Sequence, residues 1–157
     1  MKISLICVGH TTYTPFKEGI ERYTRRIVHY VPFELKEIPD IRTTKGMTEH
    51  KQKELEGETI LSAIAPNDYV MLLDEKGKEY TSMEFAKLLS DKMVTLPGRL
   101  IFVVGGPYGF SDKVYARANS KISLSKMTFP HELVRLFFVE QIYRAYTIMR
   151  GEPYHHD

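Results

Sequence analysis

Apolar and polar positions along the chain keep switching between a period of two and a period near 3.6. Ile3, Leu5 and Cys7 interleave with Ser4, Ile6 and Val8 in a nearly unbroken apolar run, the pattern of a strand covered on both faces. Thr14-Pro15 then reads as an N-cap followed by a first-turn proline, and Phe16, Ile20, Tyr23, Ile27 and Tyr30 recur at helical spacing down to Pro32. Phe33, Leu35 and Ile38 mark a second strand, and Pro39 to Met47 reads as a mobile loop. A mostly polar helix is expected from Thr48 to about Ala65. Tyr69 to Leu73 forms a third, buried strand ending in Asp74-Glu75-Lys76-Gly77, where the glycine is expected to supply the positive φ of a tight turn.

Thr81 and Glu84 stand at capping-box spacing ahead of the inward face Phe85, Leu88 and Leu89, and Pro97-Gly98 ends that helix. Leu100 to Val104 is the strongest strand in the sequence and runs straight into Gly105-Gly106-Pro107-Tyr108-Gly109. Ser111 opens a short helix to about Ala118, and Ile122 with Leu124 forms a last short strand. A final helix runs from Pro130 to Arg150, with Gly151 suited to its C-cap and Pro153 blocking continuation. Strands alternating with helices predict an α/β fold, a mainly parallel sheet flanked by helices, with ligands collecting at the carboxyl ends of its strands.

A chain of 157 residues suits one domain, 1–157, with a core large enough to fold without metals or staples. Hydrophobic residues at 43% and charged residues at 27% exclude a disordered or fibrous chain, and no apolar run approaches the roughly 18 residues of a membrane span. Met1 to Gly9 alternates like a strand and lacks a small-residue cleavage site, so a cytoplasmic location is expected. Cys7 has no second cysteine to pair with and is assigned to core packing. With a net charge of only +2, a nucleic-acid partner would have to be met by a local patch. Lys17, Arg22, Arg25 and Arg26 on the first helix, and Lys45, Lys51 and Lys53 farther on, supply such patches or simply a solvated face.

Chemistry is expected in the loops after the later strands, where three motifs fall. LLDEKG, Leu72 to Gly77, is a ligand turn or a polar strand exit. VVGGPYG, Val103 to Gly109, has neither the spacing of a dinucleotide fingerprint nor the end of a P-loop, so the usual phosphate cradles are missing. It is a close-approach ligand turn or a tight strand-to-helix turn. Leu124 to His131 places small and polar residues with free main-chain donors just before a helix, suited to an adenine edge or merely to helix capping with Pro130 at the first position.

Taken together, LLDEKG, FVVGGPYG, ISLSKMTFPHELVRLFFVEQIYRA and the terminal GEPYH resemble, in that order and over nearly the whole chain, the ribosomal RNA large subunit pseudouridine-N3-methyltransferase family. The resemblance is weakest from Asp40 to Ala65. It implies a SPOUT-type fold with a deep C-terminal trefoil knot, S-adenosyl-L-methionine as cofactor, and methylation of N3 of a pseudouridine in 23S ribosomal RNA in the assembled ribosome. By the same resemblance Leu73, Gly105, Leu124, Ser125, Lys126, Met127, Thr128 and Phe129 bind the cofactor, and Arg144, Tyr154 and His155 serve catalysis. Arg144 would offset charge on the uracil-like ring while His155 accepts its proton. His131 is read as a neutral residue at a helix N-terminus. The competing readings are a SPOUT enzyme acting on transfer RNA, a nucleotide-binding oxidoreductase, and a noncatalytic ribosome-binding factor.

The tail Tyr154-His155-His156-Asp157 frays or folds over the substrate site, the second being what the resemblance implies. Adjacent His155, His156 and Asp157 make a poor chelate, and no metal is expected. The last helix carries Leu133, Val134, Leu136, Phe137, Phe138, Val139, Ile142, Tyr143, Tyr146, Ile148 and Met149 almost all round it. One sheet is not expected to cover every side, which points to a homodimer, as in the family, with cofactor and substrate contacts shared between subunits.

Overall fold

The computed structural model describes residues 1–156; Asp157 lies outside the described residues. Five parallel strands, β1 (Ile3–Val8), β2 (Phe33–Ile38), β3 (Tyr69–Glu79), β4 (Leu100–Val104) and β5 (Ser120–Ser123), stand in the order β2-β1-β4-β3-β5. Between them run α1 (Thr14–Ile27), α2 (Glu49–Ser62), α3 (Ser82–Thr95) and α4 (Asp112–Arg117), and α5 (His131–Met149) follows β5. The unbroken apolar runs of β1 and β4 explain their central places, since each residue there has a buried neighbour on one face or the other. Ile3, Leu5, Cys7, Leu100, Phe102 and Val104 face the cluster covered by α1, α3 and α5. Ile6, Val8, Ile101 and Val103 face the smaller cluster under α2 and α4.

Helix α5 lies between α1 and α3, and the sheet backs it at Phe138, Val139 and Ile142. This corrects the premise drawn from its all-round apolar sequence, because neighbouring helices of the same chain cover most of it. Phe137, at 40% exposure, is the large apolar side chain of α5 left open. The helix ends in a Schellman motif: Gly151 takes φ 66, its N–H donates to the Ile148 carbonyl at 3.1 Å, and that of Glu152 to Thr147 at 2.9 Å. Cys7 is fully buried, and burial pushes its thiol up to about 12, which leaves it an inert core residue.

Several local expectations are overturned. Thr14 does not cap α1; Tyr13 holds the cap position without a side-chain bond. The orphan donors are met by Glu132 of α5, which accepts from the N–H of Thr12 at 2.5 Å and of Tyr13 at 3.2 Å. Likewise, the third strand does not end at Leu73. β3 continues to Glu79 through a register break, with Leu73 and Lys78 both opposite Ile122 of β5. Gly77 is absent from the positive-φ glycines, so its need is for space: a Cβ there would stand 2.6 Å from both the N and the C of Ile122. Main chain cannot yield as a side chain can. Gly77→Ala is therefore expected to destabilise the fold by about 2–4 kcal/mol, read as a lower urea midpoint at unchanged slope; a midpoint equal to the parent's would refute the close approach.

Candidate active site

Three loops at the carboxyl edge of the sheet close on a cavity of about 480 Å³, a size typical of small-molecule sites. The first is the segment thrown out of β3. Asp74 receives the N–H of Lys76 on Oδ1 at 2.8 Å and the hydroxyl of Tyr115, from α4, on Oδ2. Burial, and then that bond to Asp74, push the Tyr115 phenol above its usual range, so it stays a neutral donor tying the loop to α4.

The second loop is the glycine-rich turn after β4, closed by the Gly109 N–H donating to the Gly106 carbonyl at 3.3 Å. Gly109 takes φ 81, which only glycine adopts at no steric cost. The third joins β5 to α5. There Ser123 Oγ donates to the Ser125 carbonyl at 2.9 Å, and the Met127 N–H donates to Ser125 Oγ at 3.0 Å. These short side chains shape a loop that has no ladder partner.

Leu73, Gly105, Leu124, Ser125, Met127, Thr128 and Phe129 all line this cavity. Lys126 is exposed and lies outside its wall. His131, the first residue of α5, lines it too. Tyr115 also belongs to the wall, although nothing in its short helix singles it out in sequence. The lining suits a cationic nucleoside. Leu73, Leu124, Phe110 and Phe129 offer apolar surface to a flat base, the carboxylates of Asp74 and Glu75 suit positive charge, and no phosphate cradle competes.

Arg144, Tyr154 and His155 gather elsewhere, around Glu140, which sequence reasoning missed although it stands one helical turn before Arg144. Glu140 Oε1 accepts from Arg144 Nε at 3.0 Å, from its Nη2 at 2.7 Å and from the Tyr154 hydroxyl at 3.0 Å. Arg144 Nη1 lies 3.1 Å from His155 Nδ1. Arginine only donates, so this Nδ1 accepts and the proton of the neutral ring sits on Nε2. Burial, then hydrogen bonds with Tyr23 and Glu140, push the Tyr154 phenol above its ordinary value; it is a neutral donor, not a base.

Up to His156 the tail is thus folded back rather than frayed, and Tyr30 adds a bond to Glu152 at 2.8 Å. It does not reach the cavity of its own chain, which touches α5 at His131 and Val134. At about 1.5 Å per residue, roughly 15 Å of helix separate Val134 from Arg144.

A second feature missed in sequence is Arg135. Fully buried, it donates to the Val8 carbonyl at 2.7 Å and to Thr11 Oγ1 at 2.9 Å. With Glu132 it pins the loop after β1 to the start of α5, one turn from the cavity. Its partners lie more than a hundred residues upstream, beyond any local pattern.

A parallel sheet whose carboxyl-edge loops converge on a small-molecule-sized cavity defines an α/β protein with a ligand site at its strand ends. The chain belongs to the SPOUT methyltransferase family: the family described as "Predicted SPOUT methyltransferase" matches residues 1–155. It is a methyltransferase, and S-adenosylmethionine is its cofactor. The ribosomal RNA large subunit methyltransferase H of Parabacteroides distasonis is 59% identical over 157 residues, covering 100% of each chain. The protein so named in Christiangramia forsetii is 53% identical, covering 99% of each. Among solved structures, a probable methyltransferase from Bordetella pertussis Tohama I shares the fold at a TM-score of 0.58 and 12% identity, over 92% of this chain and 94% of that one.

Proposed function

We propose that this chain, one domain over 1–157, methylates N3 of a pseudouridine in 23S ribosomal RNA, working in the cytoplasm on the assembled ribosome as a homodimer. The observation that carries the reading is the three-loop cavity, set in a chain similar over its full length to enzymes named for ribosomal RNA. Bound S-adenosylmethionine supplies an activated methyl group on a sulfonium, so the protein's share is orientation and charge. Leu73, Leu124 and Phe129 clasp the base, Gly105 admits the ligand close to the main chain, and Ser125, Lys126, Met127 and Thr128 act through the loop they form. In the same reading the C-terminal half of the chain is knotted as a deep trefoil.

Arg144 offsets negative charge on the uracil-like ring as N3 gives up its proton. Tyr154 donates a hydrogen bond, and His155 takes the proton after exchanging its Arg144 partner. Because that cluster and the cavity are apart in one chain, the working site joins the cavity of one subunit to the tail of its partner. Met127, at 75% exposure, and the Phe129–Phe137 ring pair, 5.3 Å between centroids, leave apolar surface beside the cavity for the second copy. RNA approaches over α1, whose Lys17, Arg22 and Arg25 are exposed. Arg26 on that helix stacks over Tyr143, which packs against Tyr154.

Labelled S-adenosylmethionine should transfer its methyl group to ribosomes lacking the modification, and far less to protein-free ribosomal RNA or transfer RNA. Equal labelling of transfer RNA, or none of ribosomes, would sink the reading.

A further inference from the structure

Glu56 presents a problem that the reaction does not use. It sits on the inner face of α2, 3% exposed, beside Gly57 and Ile60. Gln52 Nε2 donates to its Oε2 at 3.3 Å, while Oε1 is buried and has no hydrogen-bond partner. Both oxygens press on the second loop of the cavity: a Cβ built on Gly106 would stand 2.5 Å from Oε1 and 2.9 Å from Oε2. Gly106 lines the cavity and Glu56 does not, so the carboxyl group supports the turn from behind. A buried, unpaired polar atom is costly, and an apolar side chain of that size would be cheaper.

We propose that Glu56 is a positioning residue of the cofactor pocket, its buried carboxyl group backing the Gly105–Gly109 turn so that the turn stands at the depth the cofactor needs. The inference rests on the reading that this cavity takes S-adenosylmethionine. Among the described residues no cation pairs with the group. The charged side chain felt there is the carboxylate of Asp40, from the β2–α2 loop, and the other polar partner is Gln52. Burial, and then Asp40, move the acid above its usual range, against the Gln52 bond. In the acid form Glu56 is neutral and carries an O–H donor. In the ionised form it drives an unpaired charge against main chain, and the turn must move. The sign follows: the folded acid holds its proton above the ordinary carboxyl range, so pocket order is present at lower pH and is lost as pH rises through the raised value.

Titration calorimetry with S-adenosylmethionine tests this on the full chain. Glu56→Gln, neutral and of equal size, should bind within about twofold of the parent and should no longer weaken as pH rises. Glu56→Ala should bind about tenfold or more weakly, because misplacement by an ångström suffices for such losses. Parental affinity in Glu56→Ala, or equal losses in both variants, overturns the assignment while the pocket reading stands. Should Glu56→Ala fail to fold, Glu56→Gln and the two pH profiles decide: a glutamine variant that weakens with pH as the parent does overturns it. A parent that binds no S-adenosylmethionine removes the pocket reading, and this one with it.

Discussion

Gly105→Val is expected to lose S-adenosylmethionine affinity by about a hundredfold or more, close to 2.7 kcal/mol, while its far-ultraviolet circular dichroism stays near that of the parent. Gly105 follows the last residue of β4 and lines the cavity. From sequence alone, the added volume would be expected to enter the ligand slot directly. The structure changes the route. A Cβ on Gly105 would meet the ring of Phe110, 3.0 Å from Cε1 and 3.1 Å from Cζ.

Phe110 is itself buried and lines the cavity, and its ring packs edge-on to Tyr115 at 5.7 Å between centroids. Tyr115 in turn holds Asp74 in the first loop. One branched side chain therefore displaces a wall that joins two of the three loops. The obstacle is a ring edge rather than main chain, so the strands and helices survive, at an overpacking cost of about 1–3 kcal/mol. Gly105→Ala should fall between the two. Undiminished affinity in Gly105→Val, measured by calorimetry, would place the cofactor elsewhere.

The contrast with Gly77 shows which parts of the fold a sequence can express. Both glycines sit in motifs noticed for their turn chemistry, yet neither is needed for a positive φ; each makes room for a neighbour that only the folded sheet brings close. β1 and β4 were legible because burial on both faces leaves an unbroken apolar run. The capping box of α3 was legible because both partners lie within one turn. The start of α1 was not, since its donors are met by Glu132 from the other end of the chain. Helix α2 hid its function for a different reason. Its buried face is Glu56, Gly57 and Ile60, with a single large apolar side chain and so no amphipathic stripe, and the support of the glycine-rich turn looks like solvent-facing sequence.

The candidate site divides in the same way. The loops of the cavity came from motifs and the residues assigned to the cofactor from the family resemblance, and those loops do converge. Arg144, Tyr154 and His155 came from the family resemblance; the Glu140–Arg144 pair is local enough to be read from helix spacing, whereas Tyr154 and His155 join it only because the chain turns back after α5. Their distance from the cavity is not local at all. It depends on which end of α5 faces the loops, and in the reading proposed above a second chain completes the site.

That separation gives the decisive expectation. Arg144→Ala should bind S-adenosylmethionine as the parent does, because Arg144 stands about 15 Å along α5 from the cavity wall of its own subunit, yet should transfer almost no methyl group to ribosomes. Gly105→Val should be equally inactive for want of cofactor. Co-expressed with different tags and mixed at random, the two chains form hybrid dimers in half of the assemblies. Each hybrid then holds one intact cavity, from the Arg144→Ala subunit, facing one intact tail, from the Gly105→Val subunit. About a quarter of the parental activity per subunit should return. If cavity and tail of the same chain worked together, every site in the mixture would lack one half and no activity would appear. A silent mixture that purifies with both tags would therefore reject a site shared between subunits, and would require the Glu140 cluster to act from where the single chain leaves it.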